Sequence, residues 1–154
     1  MNYGILLQSA NELFKDEPNN LSLLSNASAF IKQNIDHLNW VGFYLYTQKD
    51  LTLGPFQGKV ACNIIPPGKG VVGTGYLKKE IIVVEDVNKI ENHIMCDPLS
   101  QSEVVVPIMH AGKVWAIFDI DAPVTNRFDQ DLVHFLQQFG QLLEKYIDFN
   151  AGLI

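Results

Sequence analysis

The sequence predicts an α+β fold: a central antiparallel sheet of about six strands, flanked by helices from both ends of the chain. Three observations predict it. Apolar residues recur at helical spacing through the first forty positions; aromatic and β-branched runs follow from Trp40 to Asp121; an amphipathic stretch then begins at Asp129.

The first segment carries Ile5, Leu6, Leu13 and Phe14. The second carries Leu21, Leu24, Ala27, Ala29 and Phe30, and Pro18-Asn19-Asn20 forms the break between them. Trp40 to Thr47 reads as a strand, and Lys59 to Ile65 as another, ended by Pro66-Pro67. Ile81 to Val84, Glu103 to His110 and Lys113 to Asp121 read as three more. Ala111-Gly112 is a tight turn that makes the last two antiparallel. Leu132, Phe135, Leu136, Phe139, Leu142, Leu143, Tyr146 and Ile147 then mark a helix of about five turns, expected to pack on one face of the sheet. Loops at the edge of the sheet are left to form a pocket.

No composition shift or repeat divides residues 1–154, so one domain is expected. A chain of this length buries roughly 70% of its unfolded surface and needs no disulfide to fold. Hydrophobic residues make up 47% and charged residues 18%, a globular balance. The net charge of −6, with no basic cluster, argues against a nucleic-acid surface. No secretory signal and no membrane-length apolar run is present, so a cytoplasmic protein without membrane contact is expected. Thiols stay reduced in that compartment. The two cysteines, Cys62 and Cys96, therefore read as buried, metal-binding or redox-active before they read as a structural bridge.

Cys96 lies in a polar stretch, three residues after His93 and flanked by carboxylates, a setting suited to controlling a thiolate. A metal site from Cys62, His93, Cys96 and Asp97 lacks a Cys-x-x-Cys pair and a second histidine at ligand spacing, so no metal and no cofactor is expected. Gly68-Lys69-Gly70-Val71-Val72-Gly73 satisfies G-x-G-x-x-G but lacks the βαβ unit of a dinucleotide site. It reads as a turn into a short helix over the pocket.

Four strings occur in order: Asn39-Trp40-Val41-Gly42-Phe43-Tyr44-Leu45, Leu53 to Cys62, Gly68 to Gly73, and His93-Ile94-Met95-Cys96-Asp97. Together they resemble the free methionine-(R)-sulfoxide reductases, which are single GAF domains. The resemblance implies reduction of free L-methionine (R)-sulfoxide, with Cys96 as the attacking thiol and Cys62 as its resolving partner. It also implies thioredoxin as the reductant and a homodimer. Residue chemistry agrees on Cys96, because an apolar strand around Cys62 would raise that thiol's pKa. Many members carry a third cysteine where this chain has Val72, so only a two-cysteine cycle is open to it. That cycle requires the two Cα atoms to come within about 4.4–6.8 Å.

By the same resemblance Glu103, Asp119 and Asp121 line the substrate pocket and act in catalysis, and Trp40 and Tyr44 enclose the substrate. Asp119 and Asp121 alternate along one strand and share a face, and Glu103 opens the neighbouring strand, so the three can converge. Such a cluster would attract an ammonium, and its crowding would hold a proton on at least one carboxyl. His93 stays outside the catalytic set as a loop hydrogen-bonder. Each residue has a plainer alternative: a core thiol at Cys62, a shielded loop residue at Cys96, core aromatics at Trp40 and Tyr44, solvated strand ends at Asp119 and Asp121. The functional alternative is a GAF module that binds a small ligand without chemistry.

Overall fold

In the computed structural model, residues 1–94 and 96–154 are described; Met95 of the His93–Asp97 string lies outside them. Two helices open the chain, α1 (Tyr3–Phe14) and α2 (Asn20–Asn34). Each is started by an asparagine side chain that accepts from the backbone three residues on, Asn2 from Ile5 and Asn19 from Ser22. Asn20 therefore belongs to α2 rather than to the break before it. Ala10 and Phe14 carry the buried stripe of α1, while Ile5 and Leu13 are exposed.

The sheet contains β1 (Trp40–Tyr46), β2 (Leu51–Gly58), β3 (Ile64–Ile65), β4 (Ile82–Val84), β5 (Ser102–His110) and β6 (Lys113–Ala122). Its order is β3-β2-β1-β6-β5-β4, and every pairing is antiparallel. Ala111 and Gly112 both have positive φ, as the tight β5–β6 turn requires. The expected strand over residues 59–65 is corrected. Leu51–Gly58 forms the strand instead, residues 59–63 are irregular, and only Ile64–Ile65 pair. Gly54-Pro55 looks like a strand breaker, but both residues fall opposite Phe43 where the β1–β2 register shifts. A bulge tolerates a proline because its missing N–H costs no ladder bond.

On one face of the sheet α1, α2 and α4 (Gln130–Tyr146) enclose the main core, with Phe14, Phe43, Phe118, Phe135 and Phe139 all nearly or wholly inaccessible. Asn20 ties the C-terminal end to this layer, donating to the carbonyls of Asp148 and Gly152 and accepting from the Asp148 N–H. The other face carries a smaller apolar cluster beneath α3 (Gly70–Lys78), the short helix expected from the glycine-rich string. The pocket lies on this second face. No helix among the described residues is long and apolar enough to cross a membrane.

Candidate active site

The β5–β6 hairpin places the three carboxyls. Glu103 pairs directly with Asp121, and Asp119 lies one pleat further along β6, opposite Val105, so all three side chains emerge on the pocket face. Their oxygens lie within 4.8 Å of one another. Glu103 and Asp119 are only 6% and 5% exposed. Burial pushes Asp119 up to about 6. It raises Glu103 and Asp121 well above the usual carboxylate range, with the charge of Asp119 adding to the effect. Such a cluster retains protons at neutral pH. A hard cation could bridge oxygens at this spacing, but burial favours the protonated carboxyls over the fully ionised set such an ion would need. Asp119 Oδ1 and Asp121 Oδ1 are buried without a hydrogen-bond partner among the described residues. A shared proton or a donor on a bound molecule would satisfy them.

β1 supplies the aromatic wall. Trp40 and Tyr44, four residues apart, lie on one face of β1 as their spacing predicts, and the β1–β6 register makes it the face of Asp119 and Asp121. Their rings stack at 5.8 Å, and Trp40 also stacks on Phe56 at 5.2 Å. Gly42 makes this possible: a Cβ there would collide with Phe56 Cβ and lie 2.7 Å from the Trp40 ring. Gly58, at φ 146°, lets the chain turn tightly past the same indole. Both aromatic side chains use their polar ends to hold the segment that follows β2. Trp40 Nε1–H donates to the Lys59 carbonyl at 3.2 Å, and the Tyr44 hydroxyl donates to the Cys62 carbonyl at 2.8 Å. Burial, reinforced by Asp119, raises the Tyr44 pKa and keeps that hydroxyl protonated.

Cys62 and Cys96 form a disulfide with Cα atoms 5.5 Å apart, inside the range a two-cysteine cycle requires. Cys62 is half-buried in the irregular segment after β2, which corrects its expected place in an apolar strand. Tyr44 and Trp40 instead hold two carbonyls of this irregular segment. Cys96 lines the cavity together with Trp40, Tyr44, Glu103, Asp119 and Asp121. All of the expected site residues other than Cys62 thus border one space, and Cys62 is bonded to its wall. His93 faces Glu103 at 4.0 Å, and burial lowers its pKa, favouring the neutral imidazole. A neutral imidazole lends no positive charge to a Cys96 thiolate. Val72, where many members have a cysteine, is buried in the α3 wall of the cavity.

The space inside this part-open pocket is about 40 Å³ in the disulfide-bonded form. Cavities of about 150 Å³ are needed to hold a molecule the size of benzene. An amino acid would require more room than this pocket, whose wall includes the Cys96 segment, provides. That segment is held at one end by Asn92, which donates to the Gly68 carbonyl at 2.9 Å and accepts from Gly70 N–H at 3.2 Å.

Three polar residues, Asn39, Asp97 and Ser100, stand behind the carboxyls in a link that sequence reasoning did not foresee. Asn39 Nδ2 donates to both Asp97 Oδ2 and Ser100 Oγ at 3.0 Å, and Ser100 Oγ donates to Asp121 Oδ2 at 3.1 Å. Asp97 also accepts from Leu99 N–H at 2.9 Å, an Asx turn that shapes the segment after Cys96. The Asp97-Pro98 dipeptide signals that turn, but nothing in the sequence signals the bridge to Asn39.

A curled antiparallel sheet with α3 closing a pocket on one face is the arrangement of a small-ligand domain, and the GAF domain family matches residues 11–147. The free methionine-R-sulfoxide reductase of Saccharomyces cerevisiae is 43% identical over 148 residues, covering 91% of this chain and 82% of that protein. The protein of the same name from Escherichia coli is 39% identical over 145 residues, covering 94% and 88%. Among solved structures, the reduced form of fRMsr of Staphylococcus aureus is 46% identical with a TM-score of 0.91, covering 95% of each chain. The same S. aureus protein, in complex with its substrate, gives 45% and 0.90. The chain belongs to the GAF domain family and, within it, to the free methionine-R-sulfoxide reductases.

Proposed function

We propose that this protein reduces free L-methionine (R)-sulfoxide to methionine in a two-cysteine cycle. One observation carries the reading: Cys96, disulfide-bonded to Cys62, borders the same cavity as the three converging carboxyls Glu103, Asp119 and Asp121. In the reduced protein the Cys96 sulfur attacks the sulfoxide sulfur. The S–O oxygen leaves onto Cys96 as a sulfenic acid, two electrons pass from the thiol to the substrate, and methionine departs. A protonated carboxyl assists by donating to the sulfoxide oxygen as its bond breaks. The Glu103, Asp119 and Asp121 cluster suits that role, since burial raises all three pKa values, and its ionised member pairs with the substrate ammonium. A peptide-bound methionine sulfoxide has no ammonium, which accounts for a preference for the free amino acid. Trp40 and Tyr44 enclose the methyl-sulfur end.

Cys62 then attacks the sulfenic sulfur and expels water, forming the disulfide. Two thiols from a dithiol protein such as thioredoxin reopen it. The same reading carries a cytoplasmic location, where such reductants work, and a homodimer. The decisive measurement is thioredoxin-coupled turnover of the separated sulfoxide diastereomers. Wild type should consume the R form; Cys96→Ser should be inactive; Cys62→Ser should complete one turnover and stall. Turnover by Cys96→Ser at the wild-type rate would sink the mechanism. A GAF module that only binds its ligand would take up methionine or its sulfoxide without forming a sulfenic acid or disulfide, which mass spectrometry distinguishes.

A further inference from the structure

Cys96 borders two spaces. Besides the inner cavity, it lines an outer groove of about 560 Å³ formed by Gly58, Lys59, Val60, Asp97 and Pro98. Cys62 borders neither space; its side chain packs against the inner apolar cluster. Val60, on the rim, is 88% exposed, an apolar residue with no role in the core. With Val72 in place of the family's third cysteine, the chain contains no thiol that could carry reducing equivalents inward from elsewhere on its surface. The regenerating thiol must therefore reach this disulfide itself.

We propose that the outer groove is the docking site of the regenerating dithiol protein, and that its thiolate attacks Cys96 rather than Cys62. The inference rests on the two-cysteine cycle proposed above and adds the surface and the sulfur through which it is reset. Attack forms a bond between the partner's sulfur and Cys96 Sγ, breaks the Cys62–Cys96 bond, and releases Cys62 as a thiolate that takes a proton from water. The partner's second thiol then attacks its own mixed-disulfide sulfur and releases the Cys96 thiolate, which is protonated in turn. One disulfide is reduced to two thiols and one dithiol is oxidised to a disulfide. The groove gives an incoming segment a path to Cys96, and Val60 and Pro98 offer that segment apolar contact at the rim.

The test uses the full chain in its disulfide form and a thioredoxin whose second active-site cysteine is changed to serine. Rapid acid quenching followed by peptide mapping should find the first mixed disulfide on Cys96. A first linkage on Cys62 overturns the assignment of the sulfur. Val60→Asp and Lys59→Glu, both outside the cavity, should slow reduction by wild-type thioredoxin at least tenfold in one or both variants. Reduction by dithiothreitol should stay within twofold of wild type. Unchanged thioredoxin rates in both variants, or an equal loss with dithiothreitol, overturns the docking surface. Single-turnover consumption of methionine (R)-sulfoxide by pre-reduced protein reads the underlying activity separately. Failure there defeats the cycle, whereas failure only in the mapping or the thioredoxin rates defeats the groove.

Discussion

Asp119 belongs to a buried carboxyl cluster in which burial raises every member above the usual carboxylate range. Its own pKa is raised to about 6 chiefly by burial, and burial raises those of its neighbours Glu103 and Asp121 as well. A carboxyl whose folded pKa exceeds its unfolded value stabilises the fold when protonated. That contribution is fully present below about pH 4 and is lost as pH rises through about 6. At neutral pH the ionised form costs stability on the order of 3 kcal/mol, since each pKa unit corresponds to about 1.4 kcal/mol. Asp119→Asn should therefore melt higher than wild type at pH 7.5 and lose that advantage near pH 4, while reduction of the sulfoxide falls on the order of a hundredfold. A melting difference that is the same at both pH values would refute the buried-charge account. The two orphaned oxygens, Asp119 Oδ1 and Asp121 Oδ1, fit the same picture, since a function-bearing pocket keeps acceptors that the folded chain alone does not satisfy. The convergence of Glu103, Asp119 and Asp121 was legible from strand alternation. The neutral His93 was not, because its protonation depends on burial by residues distant in sequence.

Among the elements, β1 and β2 show how the chain builds the aromatic wall. Trp40 lies flat across Gly42, and Phe56 from β2 presses on the same spot, so the position has no room for a side chain. Valine has the higher strand propensity, yet Gly42→Val should destabilise the protein by about 1–3 kcal/mol through overpacking. Thermal melting checks this: a drop of several degrees is expected, and an unchanged or higher midpoint would mean that the indole yields without cost. The β2 strand was misread from sequence for the same local reason that makes it work. Its Gly54-Pro55 pair is a breaker by propensity and a bulge in context, and only pairing with β1 decides between them. Residues 59–63 erred in the opposite direction. Their apolar, β-branched character suggested a strand, but Val60 faces solvent and the segment is held by two side-chain hydrogen bonds instead of a ladder. By contrast α4 was readable almost to the residue, because a long amphipathic period with an Asp129 cap leaves few alternatives.

At the scale of the whole molecule, the disulfide links the segment after β2 to the segment before β5 across a sequence separation of 34 residues. In the chain-entropy view, closing a loop of that length stabilises the fold by about 4 kcal/mol. The main core lies on the opposite face of the sheet and does not depend on this link, so the reduced protein should remain folded but melt lower. Denaturant titration of the two forms should show the oxidised one more stable by about 2–4 kcal/mol, with Cys62→Ser insensitive to reductant. Equal stability in both forms would mean that the two segments are already held in place without the bond. Such a difference suits a cycle in which reduction loosens the pocket wall before substrate enters and oxidation closes it afterwards.

The sequence by itself determined the α+β class, the terminal helices, the β5–β6 hairpin and the two pairs that each share a strand face, Trp40 with Tyr44 and Asp119 with Asp121. These follow from periodicity and turn chemistry, which are local. It also limited the thiol chemistry to Cys62 and Cys96, since Val72 excludes a third. Tertiary structure alone decided that the two cysteines meet, that Cys62 leaves the sheet, that Asn39, Asp97 and Ser100 stand behind Asp121, and that Cys96 borders an outer groove as well as the cavity. Each of those joins segments far apart in the chain, and burial and proton affinity depend on how such segments pack together.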